Sequence, residues 1–368
     1  MRFSISREAL LTPLQLVGGV VERRQTLPIL ANVLLSVENG QLSLSGTDLE
    51  VELIGRVTLV GDDIEPGEIT VSARKLGDIC KSLPQDAQID FRLDGQKLAL
   101  KAGRSRFSLA TLPANDFPSL NEEEGGLNLT LPQADLRRLL ERTSFAMAQQ
   151  DVRYYLNGML LEVQNGLLRS VTTDGHRLAL ANLNAETDSA ERLQVIVPRK
   201  GILELMRLLT GQEETVSLLL GRQHIRASTG AFSFSSKLLD GKFPDYERVV
   251  PRGGDKLVLA ERQALREGLS RTAILSNEKY RGIRLLLASG LLKLQANNPE
   301  HEEAEEELAV DYSGSALEIG FNVSYLLDAL GAMETAQVQI TLSDDNSSAL
   351  LQEAGGGDAT YVVMPMRL

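Results

Sequence analysis

The chain has 368 residues, 43% hydrophobic and 24% charged, enough to bury two or three cores and too apolar for a disordered or collagen-like chain. A net charge of −12, from 38 basic and 50 acidic residues, argues on average for solubility and against a nucleic-acid partner. Cys80 is the only cysteine, which excludes an internal disulfide and every multi-cysteine zinc site and agrees with a reducing cytosol, and three histidines leave little for a metal cluster.

The N-terminus, Met1-Arg2-Phe3-Ser4-Ile5-Ser6-Arg7-Glu8, carries charge where a signal peptide needs an apolar run, and no stretch of about 18 apolar residues follows. A cytoplasmic protein with no membrane partner is therefore expected. Arg2 to Ile5 alternates as a strand and leads into a helical pattern over 7–24. A hairpin at Asn39-Gly40 and a polar turn at Thr47-Asp48 come next. After a strand at Glu68-Ile69-Thr70-Val71, a second helix is predicted over 74–83, and Ile89 to Leu93, Lys97 to Lys101 and Arg104 to Ala110 alternate as closing strands.

The same series then repeats. Asn128-Leu129-Thr130-Leu131 leads into a helix over 134–150, and Lys256-Leu257-Val258-Leu259 into one over 261–276. Hairpin signals recur at Asn165-Gly166 and Ser289-Gly290, so the three turn glycines stand 126 and 124 residues apart. Seven residues past each glycine comes a polar turn: Thr47-Asp48, Thr173-Asp174 and Asn297-Asn298. Second helices follow at 199–209 and 323–333. Leu136, Leu139, Leu140 and Thr143 form one apolar stripe and Ile202, Leu205, Met206 and Leu209 another, leaving an opposite face free on each helix. The fold class is thus α+β, three domains of two β-α-β-β-β units each. Glycine and charge at Glu122-Glu123-Glu124-Gly125-Gly126 and at Pro251-Arg252-Gly253-Gly254-Asp255 set boundaries at 1–126, 127–254 and 255–368.

Five of the six helical windows are net basic although the whole chain is acidic. Lys and Arg favour solvated helix faces anyway, but charge sorted by element is also the footprint of a polyanion. No zinc-finger spacing, helix-turn-helix or RNA-binding aromatic motif is present, which leaves phosphate contact without sequence preference.

Leu27-Pro28-Ile29-Leu30, Gly46-Thr47-Asp48-Leu49-Glu50, Arg104-Ser105-Arg106-Phe107-Ser108-Leu109, Arg153-Tyr154-Tyr155-Leu156-Asn157-Gly158-Met159-Leu160, Thr173-Asp174-Gly175-His176-Arg177-Leu178, Phe243-Pro244-Asp245-Tyr246, Asn297-Asn298-Pro299-Glu300 and Tyr361-Val362-Val363-Met364-Pro365-Met366-Arg367-Leu368 resemble the bacterial sliding-clamp family, the beta subunit of DNA polymerase III, from first residue to last. The resemblance implies a head-to-tail homodimer, a ring with helices lining the hole and sheets outside. It implies sequence-independent contact with double-stranded DNA through Arg24, Arg74, Lys75, Gln150, Arg153, Tyr154, Tyr155, Arg199, Lys200, Lys279 and Arg281, the two tyrosines placed to stack where single strand meets duplex. It also implies a groove for short linear peptides of the polymerase III catalytic subunit, the clamp loader, other polymerases and repair proteins. Matching positions are Leu156, Thr173, Gly175, His176, Arg177, Leu178, Pro244, Arg248, Val249, Asn322, Tyr325, Ser348, Met364, Pro365, Met366 and Arg367. Asn346 departs from the small apolar residue expected on one wall. The dimer contact implied joins the edge strand with Arg104, Arg106, Phe107 and Leu109 to a region holding Ile274, Leu275, Glu300, Glu302, Glu303 and Glu305.

For catalysis the best candidate is Thr173-Asp174-Gly175-His176. Thr47-Asp48 holds the same repeat position with no histidine after it, so the pair reads as turn scaffolding. No phosphate loop, nucleophile elbow or paired metal carboxylates occur, and neither catalytic residues, a metal nor a cofactor is expected. The competing reading is a repeat-built hydrolase or solute-binding protein with an interdomain cleft.

Overall fold

The computed structural model describes residues 1–21, 27–61, 63–120, 125–187, 191–211 and 214–367. The first repeat comprises β1 (Arg2–Ser6), α1 (Arg7–Gly18), β2 (Asn32–Glu38), β3 (Gln41–Thr47) and β4 (Val51–Thr58), then β5 (Gly67–Ser72), α2 (Ala73–Ser82), β6 (Gln88–Asp94), β7 (Lys97–Ala102) and β8 (Ser105–Leu112). The second has β9 (Leu127–Pro132), α3 (Gln133–Ser144), β10 (Gly158–Gln164), β11 (Leu167–Thr173) and β12 (Arg177–Asn184), then β13 (Leu193–Pro198), α4 (Arg199–Leu208), β14 (Thr215–Leu220), β15 (His224–Ser228) and β16 (Phe232–Lys237). The third has β17 (Lys256–Glu261), α5 (Arg262–Thr272), β18 (Gly282–Ala288), β19 (Leu291–Asn297) and β20 (Glu303–Ala309), then β21 (Leu317–Asn322), α6 (Val323–Ala332), β22 (Gln337–Leu342), β23 (Ala349–Glu353) and β24 (Ala359–Val363). The β-α-β-β-β unit thus occurs six times among the described residues.

Helix starts are written locally. The side chains of Ser6, Ser72, Glu261 and Asn322 each accept a backbone N–H of the first turn of α1, α2, α5 and α6. The first helix of each repeat stops short of its predicted end: α1 at Gly18 rather than 24, α3 at Ser144 rather than 150, α5 at Thr272 rather than 276. For α1 the cause is the Gly18-Gly19 pair, which costs helix propensity, and Gly19 N–H turns back to Leu16 O at 3.3 Å. In α3 and α5 the hydroxyls of Thr143 and Thr272 bond carbonyls four residues back, and apolar Phe145 and Ile274 follow.

Two compact units result, Met1–Ala134 with Leu203–Leu238, and Asp135–Ile202 with Leu239–Leu368. The first is built on one 12-stranded sheet, ordered β1-β6-β7-β8-β5-β2-β3-β4-β16-β15-β14-β9. The second holds an eight-stranded sheet, β13-β10-β11-β12-β24-β23-β22-β17, and a four-stranded one, β20-β19-β18-β21. Within every repeat the two β-α-β-β-β units exchange their first strands: β1 pairs β6 and β5 pairs β2, β9 pairs β14 and β13 pairs β10, β17 pairs β22 and β21 pairs β18. Each unit of a repeat therefore contributes a strand to the sheet of the other.

Repeats are joined by a second rule. The fourth strand of one repeat pairs antiparallel with the last strand of the next, β4 with β16 and β12 with β24. At the first joint Arg56 adds a bond to Ser233 Oγ at 2.8 Å. At the second, Arg142 of α3 is buried with Glu353 of β23 at 3.0 Å, their side chains 7% and 3% exposed, and it also reaches Glu334 at 2.9 Å. The core is aliphatic as expected. Leu136, Leu139 and Leu140 of α3 are buried, each stabilising the fold by about 1.5–3 kcal/mol.

Candidate functional site

The three polar turns are local devices. Thr47 Oγ1 donates to Val51 O at 2.9 Å, and Asp48 Oδ1 accepts from the N–H groups of Glu50 and Val51. Thr173 Oγ1 likewise donates to Arg177 O at 2.6 Å, and Asp174 Oδ1 accepts from His176 and Arg177. In each carboxylate Oδ1 accepts two backbone N–H groups, as an Asx turn requires. In the third repeat Asn298 Oδ1 accepts from Glu302 N–H at 2.9 Å.

Around the second turn the structure brings together most of the proposed groove. Leu156 and Leu178 are buried in an apolar cluster with Leu160, Phe243, Tyr246 and Val362, against which Tyr155, Val249 and Leu350 pack. This cluster is the floor. Pro244 and Arg248 are exposed on the segment that follows Phe243, and His176 and Met364 are exposed above, Met364 N–H bonding His176 O at 2.9 Å. Gly175 has φ +91°, a left-handed backbone that favours glycine, and lies close against the Arg153 guanidinium. From the third repeat, Tyr325 lies 4.5 Å from the Arg177 guanidinium, while Asn322 is occupied as the α6 N-cap.

A polar network that the sequence did not disclose anchors the segment carrying Pro244, Arg248 and Val249. Tyr246 Oη donates to buried Glu162 at 2.9 Å and accepts from Arg169 at 2.8 Å, and Glu162 also accepts from Arg192 and Gln194 at 2.7 and 2.6 Å. Burial raises the pKa of the Tyr246 hydroxyl, opposed by the Arg169 bond and aided by the bond to Glu162. Strand alternation placed Glu162 and Arg169 without revealing that they meet a tyrosine some 80 residues away.

Met366 and Arg367 line a cleft of about 1010 Å³ on the polar face of the four-stranded sheet, with Tyr280, Arg284, Gln295, Glu303 and Glu305, none of them from the groove set. The tail is held there by Met366 N–H on Gly320 O, 2.8 Å. Asn346 sits in an exposed turn closed by Asp344, which accepts from Asn346 N–H and Ser347 Oγ; Ser348 is half-buried just beyond.

Of the DNA candidates, Arg24 lies outside the described residues. Arg74, Lys75, Gln150, Arg153, Tyr154 and Lys279 are exposed, whereas Arg199, Lys200 and Arg281 are half-buried, and Arg199 and Arg281 reach the carbonyls of Ser144 and Ala273. Arg153 grips Asp151 through two bonds of 3.0 and 2.8 Å, which with a backbone bond hold that carboxyl at a pKa of about 2. Tyr154 is 53% exposed, but Tyr155 packs on the groove floor, so only the first is free to stack. Several basic side chains of the helical windows have acidic partners: Arg142 is buried in its ion pair, Arg207 pairs with Glu204 at 2.7 Å and Arg271 with Glu306; Arg23 and Arg24 lie outside the described residues.

Of the residues proposed for a dimer contact, Arg106, Phe107 and Leu109 lie on β8 and Glu303 and Glu305 on β20, while Arg104, Glu300 and Glu302 lie in turns and loops and Ile274 and Leu275 in the short 3₁₀ turn after α5. β8 pairs β7 throughout but β5 only at Thr111 and Leu112, leaving 105–110 open on one side; β20 has β19 on one side only. Arg104 and Arg106 are exposed, Phe107 is half-buried and Leu109 is buried, facing its own core rather than outward. Glu300, Glu302 and Glu303 are exposed, and Glu305 is held by Lys293 at 2.6 Å, which lowers its pKa. Ile274 is 74% exposed; Leu275 is half-buried.

Six β-α-β-β-β units in exchanged pairs, joined last strand to fourth strand, define a protein of three DNA-clamp domains. The DNA polymerase III beta subunit family models match its N-terminal domain over residues 1–121, its central domain over 130–245 and its C-terminal domain over 247–367. The chain belongs to that family. It is 72% identical to the beta sliding clamp of Pseudomonas putida and 53% identical to that of Escherichia coli K12, in each case over 368 residues and the full length of both chains. The crystal structure of the DNA polymerase III subunit beta from Pseudomonas aeruginosa superposes with a TM-score of 0.98 at 71% identity, again covering 100% of both. These matches give no support to the hydrolase or solute-binding alternative. No helix among the described residues is long and apolar enough to cross a membrane.

Proposed function

We propose that two copies of this chain close head to tail into a ring that encircles duplex DNA and tethers the polymerase III catalytic subunit, the clamp loader, other polymerases and repair proteins. The observation that carries the reading is the strand rule at the joints. β4 pairs β16 and β12 pairs β24, so by the same rule β20 should pair β8; β20 ends its sheet and β8 is open on one side over 105–110. One chain cannot satisfy the third joint if its repeats run in a single direction, but two chains satisfy it twice. Arg106 on β8 and Arg104 in the turn just before it would meet the acids of β20, which favours this pairing over like with like.

Encirclement makes weak phosphate contacts sufficient, because retention comes from topology and counterion release is alike at every register. Arg74, Lys75, Gln150, Arg153, Tyr154 and Lys279 are the exposed groups available for it. The groove formed by Leu156, Leu178, Pro244, Val249, Tyr325 and Met364 takes partner peptides, with methionine adapting to different side chains. Domain boundaries lie near 126 and 254, the ring works in the cytoplasm, and it supports a polymerase without an active site of its own.

Loading the protein on a nicked circular DNA and then linearising the DNA tests the reading. A ring slides off the ends; retention after linearisation would refute encirclement.

A further inference from the structure

Arg177 opens β12, pairs across the joint with Val363 of β24, and sends its side chain toward α6. Its Nε bonds Asp174 Oδ2 at 3.1 Å, one terminal nitrogen donates to Phe145 O at 2.8 Å, and the other to Asp328 Oδ2 at 2.5 Å. The guanidinium lies between two rings, 5.3 Å from Phe145 and 4.5 Å from Tyr325. With 12% of its side chain exposed, Arg177 has little left for a ligand. The partners divide by repeat: Asp174 and Phe145 belong to the second, Asp328 and Tyr325 to the third.

We infer that Asp328 is a positioning residue for the peptide groove, holding Arg177 so that Tyr325 and the turn 173–177 keep a fixed separation. This rests on the groove reading above. Asp174 and Phe145 keep Arg177 attached to the second repeat whatever happens on α6. Asp328 is its one hydrogen-bonding partner on that helix among the described residues, one turn beyond Tyr325 on the same face. Removing that carboxylate leaves only ring contact to hold Tyr325 against the guanidinium, a weak restraint when half exposed. The groove would then widen in the free protein, and a peptide would have to close it on binding.

The test uses the full-length protein and a fluorescein-labelled peptide spanning the clamp-binding segment of the polymerase III catalytic subunit. Asp328→Asn should weaken binding about tenfold, a moderate loss for a half-exposed charged pair, and Asp328→Glu should recover most of it. In the peptide-free protein the methyl ¹³C resonance of Met364 should shift in Asp328→Asn, whereas solution mass and retention on circular DNA stay unchanged. Wild-type affinity in Asp328→Asn, no recovery with Glu, or an unmoved Met364 resonance would each overturn the inference. A wild-type protein that ignores the peptide overturns the groove reading itself and this inference with it.

Discussion

The ring of Phe145 lies 5.7 Å from the ring of Tyr361, across the joint between the second and third repeats. Phe145 follows Thr143 by two residues at the end of α3, and Ile274 follows Thr272 by two at the end of α5. The third repeat therefore presents an apolar side chain where the second repeat uses one to cover its joint, yet Ile274 is bare.

Ile274→Asp should accordingly convert a dimer to monomers without unfolding them, since the side chain contributes nothing to its own core. Sedimentation velocity checks this; an unchanged mass with native circular dichroism would remove Ile274 from the interface. Charge reversal at Arg104 and Arg106 together should act in the same direction.

The joint between the second and third repeats depends on a buried ion pair. Arg142→Met leaves Glu353 buried without its partner, and a loss of about 3–5 kcal/mol is expected in urea unfolding followed by circular dichroism. A loss below about 1 kcal/mol would mean that Glu334 N–H, which also donates to Glu353, is enough by itself.

The same carboxylate predicts a pH dependence. Burial pushes the Glu353 pKa up, but the Glu334 N–H and Arg142 bonds outweigh it, and the pKa ends below its ordinary 4.5. A depressed folded-state value adds stability that is fully present above pH 4.5 and lost as pH falls through the lower value. In Glu353→Gln this part of the acid sensitivity should be missing; an unaltered profile between pH 5 and 3 would assign it to other groups.

Cys80 is completely buried, and burial raises its thiol pKa to about 11 despite nearby Arg7. At pH 8 a thiol reagent should label it only as fast as the first compact unit opens. Stoichiometric labelling of the native protein within seconds would contradict the placement of α2.

For DNA contact at low salt, replacing Arg74 and Lys75 by Ala should reduce the slope of log affinity against log salt by about 1 for each phosphate that is no longer neutralised. Affinity should fall alike on any duplex sequence. A sequence-dependent fall would point to base contact instead.

What could be read in the sequence was whatever repeats or alternates over short range: the six β-α-β-β-β units, the Asn-Gly hairpins, the Thr-Asp turns and the apolar stripes. Asn39 and Asn165 do take positive φ, at 49° and 51°, and Asp48 and Asp174 build the same turn. Each of these follows from propensity and hydrogen bonding within a few residues, which the chain states locally. Strand exchange within a repeat, the choice of Tyr154 over Tyr155 as the exposed ring, and the withdrawal of Arg142 into the β12·β24 joint were settled only by packing. A charge on a helix looks the same in sequence whether a carboxylate two hundred residues away will neutralise it or water will, and only the closed fold decides between the two.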